Sequence, residues 1–244
     1  MTQSSSPLLP FLRKLEGQAD LSASDRDAIL SLPYKLRQLN AGFYLFREGD
    51  VAATCCVIVS GFACRHKVVV DGARQILSVH MRGDGVDFQN AILRYADHSL
   101  QALTKIEVAE IPVRAVADLI ASNPNVTLAL WAETLVDASV HREWNANVGR
   151  RDARTRIAHL LCELGLREEA AGLCDRHAYV MPLTQEQLAD ATGLTPVHVN
   201  RVLQGLRAEG VLARDRGTVK IADWDQLTRI GDFRPTYLHK SVPA

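Results

Sequence analysis

Residues 183–207, LTQEQLADATGLTPVHVNRVLQGLR, contain two helix starts on either side of a glycine. Thr184 is a suitable N-cap, and a glutamine three residues later can complete a capping box. Gly193 supplies the positive φ that a tight turn needs. Thr195 can cap a second helix, whose first position is taken by Pro196. This order of signals predicts a helix-turn-helix.

The second predicted helix has an apolar face and a polar face. Its buried stripe is formed by Val199, Val202, Leu203 and Leu206. The opposite face, which we expect to read bases in the major groove, carries Val197, His198, Asn200, Arg201 and Gln204. Arg201 is suited to a guanine edge and Asn200 to an adenine edge, while His198 can donate to a base or a phosphate. Double-stranded DNA is therefore the expected partner.

Contacts with the DNA phosphate backbone are expected from residues that precede and follow this helix. Thr184 and Gln185 open the first helix, where free N–H groups and side chains can bind phosphate, and Thr195 opens the second. Further along, a β-hairpin wing is predicted with Arg214 and Arg216 at its turn. An ordinary helical hairpin in a packed core is the alternative, and the coincidence of the glycine turn, both caps and the basic wing argues against it.

A long helix is predicted at 124–148, opened by a proline. Its residues at alternating steps of three and four are Leu128, Trp131, Leu135, Ala138, Arg142 and Asn145. A helix of about 25 residues spans nearly 40 Å, more than packing on one small barrel requires. We therefore expect this stripe to pair two chains as a homodimer. The alternative is a helix buried within its own domain.

The part of the chain before this helix has the sequence pattern of a β-rich domain. Between Leu39 and Pro112, short apolar runs are interrupted by Gly and Asp about every ten residues, which predicts a β-barrel or roll. Ser22 or Ser24 can cap a short helix before it, and 113–122 has helical periodicity after it.

A further helix is predicted from Asp152, stopping near Gly165 or Gly172, and a short strand follows it. We place a domain boundary close to the end of the long helix. The expected fold class is α+β, with one domain at 1–149 and a second at 150–244.

The composition excludes several classes of protein. The chain has 244 residues with 28 basic and 28 acidic side chains, so it is not built to coat nucleic acid nonspecifically. No apolar run is long enough to span a membrane, and the Ser/Pro-rich start does not resemble a signal peptide. The five cysteines lack CxxC spacing, which favours reduced thiols and a cytoplasmic protein. No metal-ligand spacing or nucleophile–base constellation indicates an enzyme.

Four segments together resemble the Crp/Fnr (catabolite activator/fumarate-nitrate regulator) superfamily of bacterial transcription regulators. They are FREGD at 46–50, VIVSG at 57–61, the Gly83-Asp84 turn and the helix-turn-helix at 184–207. The resemblance implies an N-terminal cyclic-nucleotide-binding-like double-stranded β-helix (jelly roll), a long dimerisation helix and a C-terminal winged helix-turn-helix. It also implies near-palindromic operators, RNA polymerase as a partner and an effector bound in the β-domain.

The sequence departs from this family where an effector would bind. Nucleotide-binding members carry Gly-Glu-Leu and Arg-Ser-Ala steps, whereas this chain has candidate pocket residues Asp87, Phe88, Gln89, His98 and Ser99. With no arginine in either step, a cyclic phosphate would lack a charge-assisted partner, so cyclic AMP is not expected. Nothing before Cys55 can supply the cysteine cluster of iron–sulfur members. No cofactor is therefore expected.

Three alternatives remain open at this point. Cys64, His66 and His80 are potential haem or metal ligands in the β-domain, and the adjacent Cys55 and Cys56 are potential oxidant-sensing thiols. The third alternative is a β-roll regulatory module that does not bind DNA, against which the helix-turn-helix argues. Pro196 and Val197 stand where many family members carry Arg and Glu, so the operator sequence does not follow from the resemblance.

Overall fold

A computed structural model describes residues 6–93, 95–213 and 218–239. These residues divide into two compact units. The first unit comprises the described residues of 1–67 and 78–138, and the second those of 68–77 and 139–240. The division into 1–149 and 150–244 made from sequence stays a prediction.

The first unit is built around a β-roll with helices before and after it. Its helices are α1 (Leu9–Glu16), α2 (Ala23–Leu30) and α3 (Val113–Ser122), with a 3₁₀ helix at Phe88–Ala91. The strands of the roll are β1 (Lys35–Leu39), β2 (Tyr44–Phe46), β3 (Thr54–Ser60), β4 (Ala63–Val68), β5 (Arg74–His80), β6 (Gly85–Val86), β7 (Ser99–Ala102) and β8 (Ile106–Pro112). Four of them form a sheet in the order β1-β8-β3-β6, and four another in the order β2-β7-β4-β5. The last residue of β4 and residues 74–77 of β5 are grouped with the second unit.

The roll predicted from the spacing of Gly and Asp is confirmed. Strand β3 lies inside its sheet, where Cys56 is opposite Glu110 of β8 on one side and Val86 of β6 on the other. The two sheets share one buried cluster, formed by Leu39, Ile58, Ala63, Val86, Leu100, Ala102, Ile106 and Val108. Alternate residues of strands from both sheets therefore point into the roll.

A second buried cluster joins the helices of this unit to the outer face of the roll. Its members include Phe11 and Leu15 of α1, Ile111 of β8 and Val116 of α3. Ser22 caps α2 in a capping box with Asp25, so the first of the two caps considered from sequence is the one used. Helix α1 was not predicted, although its Pro10 occupies a first-turn position.

Helix α4 (Pro124–Arg150) contributes residues to both units and is two residues longer than predicted. The second unit continues with α5 (Ala153–Ala170), β9 (Ala178–Val180), α6 (Gln185–Thr192), α7 (Pro196–Ala208), β10 (Leu212–Ala213), β11 (Thr218–Ile221), α8 (Trp224–Ile230) and a 3₁₀ helix at Pro235–Leu238. Its three strands form an antiparallel sheet in the order β10-β11-β9. None of the helices in the described ranges is both long and apolar enough to cross a bilayer.

Gly165 does not end α5, although it was one of the two stops considered. A side chain there would come within 2.9 Å of the Arg176 carbonyl oxygen and 3.1 Å of the Tyr179 ring. The glycine therefore permits a close approach between α5 and β9, and the helix continues to Ala170. Gly172, the other predicted stop, has a φ of 67° just beyond the helix end.

Candidate nucleic-acid interface

The start of α6 is fixed by the capping box predicted from sequence. The Thr184 hydroxyl accepts a hydrogen bond from the Gln187 backbone N–H at 3.2 Å. The Gln187 side-chain oxygen accepts one from the Thr184 N–H at 2.9 Å. Thr184 and Gln185 are exposed at this helix start. The local dipole and the remaining N–H groups there are suited to a phosphate.

A sharp turn connects α6 to α7. Gly193 adopts φ 63° and ψ 40°, and a Cβ there would lie 3.1 Å from a methyl group of Val148. Thr195 then caps α7 by accepting from the His198 N–H at 3.3 Å, with Pro196 in the first turn. The turn and both caps predicted from sequence are therefore confirmed.

Helix α7 buries one side and exposes the other. Val199 and Leu206 are fully buried and Leu203 nearly so, whereas Val202, predicted to belong to this stripe, is half-buried. The predicted base-reading residues are all exposed: Val197, His198, Asn200, Arg201 and Gln204. The helix thus presents amide, imidazole and guanidinium groups along the half that follows its N-terminus, where a helix in the major groove contacts base edges.

A groove of about 290 Å³ lies beside the start of α6. Its lining includes leucines of α5, α6 and α7, residues of strands β10 and β11, and Thr184 and Gln185. Two cationic side chains also line it, Arg207 of α7 and Lys220 of β11. Neither was among the predicted DNA contacts. Arg207 lies one turn beyond Gln204 on α7 and Lys220 lies on the wing strand, so the sequence positions of both could have indicated a contact. Arg214 and Arg216 lie outside the described residues.

The predicted stripe on α4 is largely open to solvent in the single chain. Leu128, Trp131 and Leu135 are 54%, 62% and 51% exposed, and Arg142 and Asn145 are exposed further along. Ala138 is half-buried. The opposite face of the same helix packs inward through Val126, Ala129 and Leu130 in the first unit. The alternative of a stripe buried within its own domain therefore does not describe this face.

Three of the five candidate pocket residues meet in the first unit. Asp87 adopts a left-handed conformation with φ 60°, and its Oδ1 accepts from Gln89 Nε2 at 2.7 Å and lies 3.0 Å from His98 Nε2. Phe88 instead packs against Phe11 at the core, with ring centroids 4.9 Å apart and the ring planes tilted by 32°. Ser99 accepts a hydrogen bond from the Glu48 N–H at 3.1 Å.

The cluster also contains an arginine that was not predicted from sequence. Arg65 of β4 donates through Nε to Asp87 Oδ1 at 3.1 Å and through Nη1 to Asp137 Oδ2 of α4 at 2.5 Å. Its side chain is 7% exposed and that of Asp87 is 1% exposed. Sequence reasoning missed Arg65 because it lies on a different strand, 22 residues before its main partner.

Burial and charge oppose each other within this cluster. Burial would raise the pKa of Asp87, but the charge of Arg65 and the hydrogen bond from His98 outweigh it and lower the pKa. Burial would lower the pKa of His98, yet its bonds to Asp87 and Asp97 raise it above the ordinary value. The cluster therefore holds an ionised carboxylate between a guanidinium and an imidazole that favours its charged form.

The potential metal-ligand and redox-sensing residues make the following contacts. His80 contacts Ser78 at 2.8 Å, and burial together with the charge of Arg65 lowers its pKa. His66 packs edge-on against Tyr44. Among the described residues, no group of three or more His, Cys, Asp or Glu is arranged to hold a metal ion. All five cysteines are free thiols, and burial raises the pKa of Cys55 to about 12 and also raises that of Cys56.

Two protein families match this chain, one in each half. Residues 36–123 match the cyclic nucleotide-binding domain family, and residues 155–230 match the Crp-like helix-turn-helix domain family. The chain is therefore a DNA-binding transcription regulator with a cyclic-nucleotide-binding-like domain, not an enzyme. It belongs to the Crp/Fnr family, as its sequence resemblance indicated.

The relatives are transcription regulators of the same type. The chain is 28% identical over 180 residues to the transcriptional activator protein FnrL of Cereibacter sphaeroides, covering 72% of each chain. It is 26% identical over 188 residues to the nitrogen fixation regulation protein FixK of Azorhizobium caulinodans, covering 73% of this chain and 75% of the relative. The solved structure of FixK2 from Bradyrhizobium japonicum aligns with a TM-score of 0.76 at 20% identity, covering 87% of this chain and all of that one. This last likeness confirms the predicted fold.

Proposed function

We propose that this regulator acts as a homodimer that binds a near-palindromic operator and contacts RNA polymerase there. The observation that carries the proposal is the exposed face of α7, which presents Asn200, Arg201 and Gln204, in a helix-turn-helix whose first helix also has an exposed, capped start. Two such faces, related by a two-fold axis, read half-sites about 34–36 Å apart, one helical turn of DNA.

The apolar stripe of α4 provides the pairing surface. Leu128, Trp131 and Leu135 recur on one face and are each more than half exposed in the single chain. A two-fold pairing of this stripe buries it against its own copy, which is the arrangement of an isologous interface. The polar end of the stripe, Arg142 and Asn145, belongs to the unit that contains the helix-turn-helix.

Selection from a pool of random duplexes tests the proposal. The purified protein is incubated with the pool near physiological salt, and the retained duplexes are sequenced. We expect a palindromic motif with half-sites one helical turn apart. Enrichment of a single, non-repeated half-site would contradict the dimer, and retention without any motif would contradict sequence-specific reading by α7. Addition of RNA polymerase to the selected duplex then tests the remaining partner by a supershift in gel mobility.

A further inference from the structure

Among the described residues of the domain that matches the cyclic nucleotide-binding family, the charged cluster around Asp87 does not fit a cyclic nucleotide. An anionic effector needs a cation with free hydrogen-bonding capacity. The buried guanidinium of Arg65 binds Asp87 through Nε and Asp137 through Nη1, so its single positive charge already faces two carboxylates. His98 has both ring nitrogens facing carboxylates, Asp87 at 3.0 Å and Asp97 at 2.7 Å. A phosphate entering this cluster would meet the Asp87 carboxylate and be repelled by it.

We propose that Asp87 is an internal anion that takes the place of an anionic effector and keeps the regulator in its DNA-binding form without a ligand. Three groups converge on one oxygen of its carboxylate, from Arg65, Gln89 and His98. The carboxylate is carried by a residue at φ 60°, a left-handed conformation that aspartate adopts more readily than most side chains do. The fold maintains this conformation while directing the carboxylate at the buried arginine.

The same arginine connects the internal anion to the pairing helix. Arg65 bridges Asp87 to Asp137, and Lys14 bridges Asp84 to Glu133 one turn earlier on α4. At 100° per residue, Glu133 and Asp137 project from the side of α4 opposite Leu135. Two bridging cations, Arg65 and Lys14, therefore connect α4 to Asp87 and to Asp84, which lie on either side of β6. In this arrangement, a change at Asp87 alters the ion pairs of α4, the helix that presents the pairing surface.

Chemical rescue of a variant provides the test, which rests on the proposed function because operator affinity is one readout. Asp87→Gly removes the carboxylate and suits the left-handed backbone, since glycine adopts φ 60° without strain. Operator binding is measured by fluorescence anisotropy in sodium formate and in sodium chloride at equal ionic strength, because salt alone weakens DNA binding. We expect Asp87→Gly to lose affinity about tenfold in chloride, the effect of one charge-assisted bond, and to regain it in formate.

Two controls make the assignment specific. Wild-type protein should bind its operator equally in formate, in chloride and in the presence of cyclic AMP. The double variant Arg65→Met, Asp87→Gly should show no rescue, because the cation that receives formate is gone. An increase in wild-type affinity with cyclic AMP, full affinity of Asp87→Gly in chloride, or a folded Asp87→Gly that formate does not restore would each overturn the proposal.

Thermal unfolding separates this proposal from the proposed function. Formate should raise the melting temperature of Asp87→Gly relative to chloride and leave that of the wild type unchanged, whether or not any operator is found. If wild-type protein selects no operator but formate stabilises Asp87→Gly, the anion site stands and the DNA-binding proposal falls. If formate stabilises neither protein, the internal-anion proposal falls independently of DNA.

Discussion

Trp144 donates its indole N–H to both carboxylate oxygens of Glu163, at 3.1 and 3.0 Å, and so joins the end of α4 to α5. Glu163 is fully buried, and two further donors reach it: the Tyr237 hydroxyl at 2.7 Å and Arg167 Nη1 at 3.3 Å. Tyr237 also contacts His159, whose other ring nitrogen faces the Gly231 carbonyl. The C-terminal segment is thus fastened to both helices by one polar network.

Replacing Glu163 by Gln should lower the free energy of unfolding by about 1–3 kcal/mol, because an amide N–H₂ then faces groups that donate. Urea denaturation followed by tryptophan fluorescence measures the change. Glu169→Gln is the matched control on the same helix: Glu169 pairs with Arg176 near the surface, and its loss should cost less than about 1 kcal/mol. Equal losses in the two variants would contradict the role assigned to the buried network.

A second buried carboxyl should make stability depend on pH. Burial raises the pKa of Glu168 to about 7, only partly offset by a hydrogen bond from the Cys174 thiol and the charge of Arg167. The unfolded chain releases this proton near its ordinary pKa of 4.5, whereas the folded chain keeps it until about pH 7. The folded state therefore loses stability as the pH rises from 4.5 to 7, and the full penalty remains above pH 7.

Glu168→Gln mimics the protonated carboxyl and should remove this penalty. At pH 8 we expect the variant to be more stable than the wild type by about 1–3 kcal/mol, and near pH 5 the difference should largely vanish. Urea denaturation of both proteins at the two pH values measures it, and taking differences cancels the titration of all other groups. A stability difference that is the same at both pH values would argue against a raised pKa at Glu168.

Three helices with local signals were predicted from sequence, down to their first residues. Helices α6 and α7 start where Thr184 and Thr195 cap them, and α3 spans the predicted ten residues. Helix α8 was missed although Asp223 caps it by accepting from the Gln226 N–H at 2.8 Å. This signal could be recognised in the sequence, since an aspartate before a short amphipathic segment is a frequent helix N-cap.

The charged cluster could not have been predicted by the same means. Arg65, Asp87 and Asp137 are separated by 22 and 50 residues along the chain, and only the folding of β4 against α4 brings them together. The family resemblance predicts Asp87 and His98 in one pocket, and neither of the two short segments that contain them includes an arginine. An arginine that another strand contributes to the pocket is not visible in the sequence of these short segments.

Gly193→Ala should destabilise the DNA-binding module by about 1–2 kcal/mol. The backbone there has φ 63°, which a Cβ disfavours, and the added methyl group would press on Val148 at 3.1 Å. The same substitution at Gly205 is the control, because that helical position has nothing within 4 Å of an added Cβ. Alanine at Gly205 should stabilise by up to about 1 kcal/mol. Thermal unfolding of both variants measures the contrast, and a destabilised Gly205 variant would contradict it.

Arg201→Ala should weaken binding to the selected operator by about 1–3 kcal/mol and relax the base preference at one position in each half-site. Arg207, which lines the groove beside α6, should behave differently. Arg207→Ala should weaken binding to all duplexes alike and reduce the salt dependence, as expected for a phosphate contact. Anisotropy titrations on operator and random duplexes at several salt concentrations separate the two patterns. Equal losses on both duplexes for Arg201→Ala would refute its base-reading role.

Leu135→Glu should prevent pairing of two chains, because it places a charge in the middle of the apolar stripe that pairing buries. Leu135 is 51% exposed in the single chain, so folding of the monomer should survive the change. Val51→Glu is the matched control, an aliphatic residue 64% exposed in the same unit but on a loop. Sedimentation equilibrium should give a dimer for the wild type and Val51→Glu, and a monomer for Leu135→Glu. Since half-sites are read by both α7 helices at once, the monomer should also lose most of its affinity for the palindrome while keeping that for a single half-site. A dimeric Leu135→Glu would move the pairing surface away from this face of α4.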